Sequence, residues 1–286
     1  MASRRTAAAD VFERAFLASS IEREVAHCDR YELTPRFRKW LPERQPILEA
    51  GCGSGRWVVW FARQGWQTVG VDWSEALCAR AREAHPRLRF VAGDLGALPF
   101  DDGSFGAVVA LGSVEHEVAG PEGALREFHR VLRPGGVAIV TVPYLGVVRR
   151  LTRLATAPLT RLKNSRLVRR LTRQPGWQGR SLADARADAR PGWAASYTWS
   201  DEGCAFFEYT LSKSQMRRML RDAGFEVLDE FVAFGDEGVL HSFGRAAGRF
   251  DEREARVAFS PVGRVLREAL PVEVTGHMLG YVAARR

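Results

Sequence analysis

Nine residues, Ile47-Leu48-Glu49-Ala50-Gly51-Cys52-Gly53-Ser54-Gly55, limit what this chain can fold into more than any other stretch. An apolar run ends in an acidic residue, and three glycines follow at alternate positions. A helix-compatible run from Arg56 to Gln64 comes next. Glycine reaches backbone conformations that other residues avoid, and it lets a ligand approach the main chain closely. A strand, a tight turn and a helix N-terminus in succession form a site for a nucleotide-like cofactor. A dinucleotide loop has the pattern G-x-G-x-x-G. Here Gly55 comes one residue early, and Arg56 occupies the position of the third fingerprint glycine. Glu49, two residues before Gly51, suits a cationic ligand and would repel a pyrophosphate.

Acidic residues recur at the ends of the next strands. Thr68-Val69-Gly70-Val71-Asp72 reads as a second strand closed by a carboxylate, 23 residues after Glu49. That is close to the spacing at which an acid meets the ribose hydroxyls in a βαβ unit. Trp73 follows and is placed to cover a base. Leu88 to Ala92 reads as a third strand closed by Gly93-Asp94-Leu95, and Gly106 to Leu111 as a fourth followed by Gly112. Downstream, Ala124 to Gly136 reads as a helix and turn before a fifth strand, Val137 to Val142. Ser212 and Gln215 have capping-box spacing at the start of a helix that Gly224 ends. Phe225 to Phe234 and His277 to Ala283 read as the last two strands.

The pattern E-x-G-x-G-x-G, with the acids and strands that follow it, resembles class I S-adenosylmethionine (SAM)-dependent methyltransferases. Within them it is similar to the small-molecule branch called the type 11 methyltransferase domain. The match covers roughly residues 45–145 and 205–286. The resemblance implies an α/β, Rossmann-like fold with a mostly parallel seven-stranded sheet and an antiparallel last strand. It implies SAM as the cofactor. Glu49, Gly51, Cys52, Gly53 and Gly55 would wrap its methionine part, Asp72 would accept from the ribose diol, and Trp73 would lie on the adenine. Asp94 would accept from the adenine amino group, Leu95 would offer a backbone contact, and Leu111 and Gly112 would complete the set.

Charge is concentrated in one segment. Residues 145–200 hold twelve basic side chains against Asp184 and Asp188, a balance of +10 in a chain whose total is +8, so the remainder carries −2. The expected organisation is an N-terminal helical segment over the cofactor cleft (1–44), a SAM-binding core (45–144), a basic helical insertion or lid after strand five (145–200), and the rest of the core (201–286). In the insertion, Val147, Val148, Leu151, Leu154 and Ala155 recur at helical spacing, and Pro158 interrupts. Leu162, Leu167, Val168 and Leu171 form a second stripe. Two readings stay open, with nucleic acid a weaker third. The apolar stripes pack on the domain and leave a solvated arginine face, or the lid meets an acidic substrate or an anionic membrane surface. Trp193, Tyr197, Trp199, Phe206, Phe207 and Tyr209 follow, to dock the lid or stack on a substrate.

No run approaches the roughly 18 apolar residues of a membrane span. Cys28, Cys52, Cys78 and Cys204 show no metal spacing, and the first ten residues hold no apolar core of signal-peptide length. A reduced, cytoplasmic setting without a metal site is expected. The place after strand four reads Ala110-Leu111-Gly112-Ser113-Val114-Glu115-His116, without the Asn/Asp-Pro-Pro-aromatic motif of base-nitrogen methylation. No cysteine follows a proline, so a nucleic-acid substrate is disfavoured. His116 is the best-placed base, flanked by Glu115 and Glu117, which would raise its pKa or orient its ring. Tyr144 is the second candidate. His129 and His277 read as structural, and His27, His85 and His241 carry no signal.

The expected function is methyl transfer from SAM to a small molecule, acidic or lipid-like, leaving S-adenosylhomocysteine (SAH). The alternatives are a nicotinamide-dependent oxidoreductase and a SAM-binding or membrane-surface protein without turnover.

Overall fold

A computed structural model describes residues 7–172, 179–200, 202–251 and 256–286. Residues 1–6 of the expected N-terminal segment and 173–178 of the insertion lie outside the described residues. The first five strands are β1 (Ile47–Ala50), β2 (Thr68–Asp72), β3 (Arg89–Ala92), β4 (Phe105–Leu111) and β5 (Leu132–Pro143). Then come β6 (Ala195–Ser200), β7 (Gly203–Tyr209), β8 (Phe225–Ala233), β9 (Gly248–Asp251), β10 (Arg256–Phe259) and β11 (Met278–Arg285). Seven strands form one sheet in the order β3-β2-β1-β4-β5-β11-β8. β11 runs antiparallel to both its neighbours, and the β3-β2-β1-β4-β5 pairs are parallel. The chain is therefore an α/β protein with a Rossmann-like sheet, as expected. β6 with β7 and β9 with β10 form separate two-stranded ladders.

The helices are α1 (Ala7–Ala18), α2 (Ile21–His27), α3 (Thr34–Trp40), α4 (Arg56–Arg63), α5 (Glu75–Ala84), α6 (Glu122–Val131) and α7 (Val147–Lys163). α8 (Arg166–Leu171), α9 (Leu182–Asp188), α10 (Lys213–Asp222), α11 (Gly235–Phe243), α12 (Pro261–Ala269) and α13 (Val272–Thr275) complete them. Side chains alternate across a strand, so each central strand feeds two cores. Leu48, Val108, Ala110, Ala138 and Val140 pack with Leu125 and Phe128 of α6 and Met216 and Leu220 of α10. Ile47, Ala107, Val109, Val137 and Ile139 pack on the other face with Phe37 of α3 and Trp57, Trp60 and Phe61 of α4. Both faces are covered, which is why the central strands read as unbroken apolar runs. The capping box of Ser212 and Gln215 is present in both directions.

The lid differs from expectation in two ways. α7 continues through Pro158, which sits inside the helix and does not interrupt it. A proline removes one ladder bond and kinks a helix, and Leu159 to Lys163 still continue it. The lid also turns the other way from the packed-stripe reading. Leu151, Leu154, Leu162, Leu167 and Leu171 face solvent. Arg149 approaches Glu208 of β7 at 3.7 Å, Arg153 donates to Thr210 Oγ1 at 3.0 Å, and Arg169 lies 3.6 Å over the Trp199 ring. The physical reason is the β6–β7 hairpin. It offers the insertion a carboxylate and an indole face, and Thr210 just beyond it a hydroxyl, and these suit guanidinium better than leucine. No helix among the described residues is long and apolar enough to cross a membrane.

Arg285, near the end of β11, holds the end of α6. Its Nη1 donates to the carbonyls of His129 (2.9 Å), Arg130 (3.0 Å) and Leu132. These belong to the last turn of α6 and the residue beyond, where carbonyls lack helical partners. Arg285→Ala should lower unfolding stability by about 1–3 kcal/mol, because buried carbonyls lose a charged donor. Urea unfolding checks this, and an unchanged midpoint would show that other donors suffice.

Candidate functional site

The site lies at the carboxyl edge of the sheet, where β1, β2 and β4 end. The turn after β1 needs its glycines for two separate reasons. Gly51 and Gly55 have φ of 77° and 85°, in the left-handed region. A Cβ on Gly51 would also stand 2.4 Å from the Ser113 Cβ, and one on Gly55 would stand 2.6 Å from the Phe90 ring. The loop is thus pressed between the end of β4 and the ring on β3.

Two buried carboxylates hold this turn. Asp72 Oδ2 accepts from the Gly53 amide at 2.8 Å, and Oδ1 accepts from the Ser74 amide at 3.0 Å. Burial raises the Asp72 carboxyl, and those two amides work against the rise. Glu49 Oε2 accepts from the Val58 amide at 2.8 Å. The residue preceding α4 is Gly55, which has no side chain to cap the helix. Glu49 supplies that missing cap from β1. Burial pushes its carboxyl up to about 8, against the pull of Arg56 and the Val58 amide. Arg56 is held among Tyr31, Glu24, Cys28 and Glu49, which raise its pKa despite burial.

The N-terminal helices close on the same loop. Ser54 Oγ donates to Glu24 of α2 at 2.6 Å, and Ser74 Oγ donates to Glu13 of α1 at 2.6 Å. Phe16 of α1 lies 3.0 Å from where a Gly53 Cβ would be. Of the remaining expected cofactor residues, Cys52 is buried and Trp73 is 41% exposed beside Asp72. Asp94 Oδ1 accepts from the Gly96 amide at 2.8 Å. The Leu95 side chain is in the core, so only its backbone faces outward chemistry. Leu111 and Gly112 sit at the mouth, and the Gly112 amide is bonded to the Thr141 carbonyl at 3.1 Å. The fold therefore gathers all these residues at or beside one edge.

His116 ends a short 3-10 turn, Val114–His116, just past β4. Its ring stands edge-on to Phe12 of α1 and Phe207 of β7, at centroid distances of 4.8 and 5.4 Å. Nδ1 lies 2.8 Å from the Phe207 carbonyl. A carbonyl can only accept, which assigns the proton to Nδ1 and leaves a lone pair on Nε2 in the neutral ring, with Glu115 Oε1 4.0 Å away. Burial lowers the His116 pKa, and it outweighs the carbonyls of Phe207 and Gly112 and the charge of Glu208. The expectation that Glu115 and Glu117 raise it is therefore corrected. The counter-charge comes from Glu208, and desolvation wins. Glu115 is itself buried, and burial and Glu208 push its carboxyl well above the usual range. Its Oε2 has no hydrogen-bond partner.

Sequence reading missed Glu208, Arg149 and His241. One ligand-type atom each from Glu115, His116 and Glu208 lies within 4.8 Å of the others. Arg149 stands 3.7 Å from Glu208 as its counter-charge. The Arg149 Nη1 is buried without a partner. The rings of His241 and His277 are tilted to each other with centroids 4.8 Å apart, and burial lowers both pKa values, with Arg149 adding to it. His277, read as structural, thus joins a polar group on this edge, and its carbonyl accepts from the Tyr144 amide at 2.7 Å. No local signal could find these residues, since they come from segments up to 128 positions apart, Arg149 to His277. His129 lies against Phe225 at the amino end of β8.

Residues 48–140 match the family model for a methyltransferase domain. Over these residues the chain is similar to methyltransferase domains. Over 97 residues the chain is 38% identical to a protein of Mycolicibacterium smegmatis named as a probable SAM-dependent methyltransferase, covering 34% of this chain and 37% of that one. Over 105 residues it is 37% identical to the demethylmenaquinone methyltransferase of Chlorobaculum tepidum, covering 36% and 43%. The chain thus spans about two fifths of the length of these relatives. Among solved structures, a SAM-dependent methyltransferase from Methanosarcina mazei superposes with a TM-score of 0.55 at 16% identity, covering 88% of this chain and 97% of that one. That likeness shows the fold.

The two roles of Glu49, cap and charge, separate by substitution. Glu49→Ala removes the acceptor for Val58 and should cost about 1 kcal/mol, within the usual range for a lost cap. Glu49→Gln keeps an acceptor and should unfold near the wild-type midpoint. Equal losses in both would show that charge, not the cap, holds α4.

Proposed function

We propose that this protein transfers a methyl group from SAM to a small-molecule acceptor that carries an acidic group on an apolar body. The observation that carries the reading is the three-glycine turn, pinned by a buried Asp72 carboxylate at the end of the next strand. The methyltransferase-domain match over the same residues supports it. A nicotinamide-dependent reaction is disfavoured, because Arg56 stands where the dinucleotide fingerprint has its third glycine.

SAM, when bound, supplies an activated methyl on a positively charged sulfur. The chain then has to position the acceptor, exclude water and take a proton. The remaining lone pairs of Asp72 are available to the ribose diol. In this reading Asp94 would accept from the adenine amino group, and the Leu95 backbone would meet the ring edge. Transfer would join the acceptor's nucleophilic atom to the methyl carbon, and the carbon–sulfur bonding pair would stay on sulfur, giving SAH. If the acceptor carries a proton on that atom, His116 Nε2 takes it. The Nδ1 proton held by the Phe207 carbonyl keeps the ring in the tautomer that can do so. Tyr144 borders the same edge and would orient the acceptor.

The inward face of α7 sets the acceptor's chemistry. Arg149 and Arg153 point toward the hairpin, and burial lowers both pKa values. A buried guanidinium nitrogen without a partner is costly unless a ligand fills the vacancy. An acidic group on the acceptor would do so. In this reading 45–144 and 201–286 form the cofactor core, 1–44 covers its cleft, and 145–200 is an acceptor lid that can face a membrane surface. Four free, buried cysteines fit a reduced cytoplasmic setting.

Calorimetry should show SAM and SAH binding and no NAD binding. Tight NAD binding with no SAM heat would overturn the cofactor assignment. SAM binding without product, when labelled SAM is incubated with metabolite and lipid extracts, would leave a binding protein without turnover. Because burial lowers His116, its base form persists below the ordinary histidine value of about 6.5. The acid limb of kcat/KM should therefore lie below that pH in wild type and disappear in His116→Gln. A limb above about pH 7 would remove His116 as the base.

A further inference from the structure

We propose that the outer face of α7 and α8 docks on an anionic lipid bilayer, with Leu151, Leu154, Leu162, Leu167 and Leu171 entering the boundary between headgroups and acyl chains. A helix on a water-soluble protein normally turns its leucines to the core. Here Leu151 is 60% exposed, Leu154 68%, Leu167 66% and Leu171 74%. Of the fourteen exposed large apolar side chains among the described residues, seven lie on these two helices. Val147, Leu151 and Leu154 follow i, i+4, i+7 spacing, so they form one continuous stripe. The inward arginines of α7 make this reversal specific, because the hairpin engages Arg149 and Arg153 and leaves the apolar side outward.

The stripe's borders select the occupant. Arg150, Lys163 and Arg170 are exposed along it. No aspartate or glutamate occurs from residue 128 to residue 183. A second copy of the chain would bring two cationic borders together, with no acid on α7 or α8 of either copy to offset them. An anionic bilayer complements both parts, apolar centre and cationic rim. α7 has seventeen residues, about 25 Å at 1.5 Å per residue, and lies in the interface plane rather than across it. The placement rests on the proposed function for its purpose: one face of α7 meets lipid while the other, through Arg149 and Arg153, meets the acceptor's acidic group. An acceptor with a lipid-soluble body would then pass from bilayer to cleft along a single helix.

The test is co-sedimentation of the full-length protein with phosphatidylserine–phosphatidylcholine vesicles, alongside pure phosphatidylcholine vesicles. The L151Q/L154Q/L162Q variant should lose at least about tenfold in partitioning, and Arg150→Gln with Lys163→Gln should weaken binding to the anionic vesicles and make it less salt-dependent. These side chains are exposed, and Gln preserves the helix, so the fold is expected to survive. SAH calorimetry and circular dichroism on the same samples check that it does. Equal partitioning of wild type and L151Q/L154Q/L162Q, or no binding to either vesicle, overturns the docking. A wild-type dimer that L151Q/L154Q/L162Q dissociates, with no vesicle binding, also overturns it in favour of a second copy. SAH binding without vesicle binding leaves the methyltransferase reading intact. Vesicle binding without SAM or SAH binding overturns that reading alone.

Discussion

The carboxylate of Asp72 joins the end of β2 to the turn after β1, and the candidate site depends on that junction. Its two oxygens accept from Gly53 on one side and Ser74 on the other. The first bond fixes a loop whose glycine φ values would otherwise be free to vary. The second starts the turn into α5. Around this pin, Glu49 caps α4 from below, while Glu24 and Glu13 reach Ser54 and Ser74 from the N-terminal helices. Four acidic side chains thus organise one turn by accepting hydrogen bonds. Two of them, Glu49 and Asp72, are buried, and burying carboxylates is costly. The cost is visible in the raised pKa values of Glu49 and Asp72. That unfavourable burial is concentrated at the carboxyl edge of the sheet, beside the three-glycine turn.

Much of this was legible in the chain. The order of strands, the turn glycines, the acids at successive strand ends and the capping box at Ser212 all follow from local pattern. Local pattern also shows that α7 has two unlike faces. It does not show which face turns inward, because that depends on what the neighbouring element offers. The hairpin β6–β7 offers Glu208 and Trp199, and Thr210 follows it, so arginine is drawn in and leucine is left out. Residues that converge from distant segments were equally hidden. Glu208 comes to His116 across 92 positions and His277 comes to His241 across 36, with no repeat or motif to announce either.

His116 illustrates how the balance of forces decides a role. Three acidic or carbonyl groups near the ring favour its charged form, yet burial between Phe12 and Phe207 prevails and keeps it neutral. His277, lowered to about 4 by burial and by His241, behaves in the same way. For such groups the folded state binds fewer protons than the unfolded one as pH falls from about 6.5 toward about 4. Their contribution to stability is therefore full above that window and is lost through it. The basic charge of the chain follows a similar logic of location. It resides in the lid, where part of it is turned inward to the hairpin and part frames an exposed apolar stripe.

The most direct measurement of the central claim is residue-level amide hydrogen exchange with and without SAH. The account predicts that protection on SAH binding concentrates at Gly51 to Gly55, Asp72 to Ser74 and Asp94 to Leu95, with the outer lid helices α7 and α8 unchanged. Protection confined to other parts of the chain, with exchange at Gly53 and Ser74 unaltered by SAH, would contradict it.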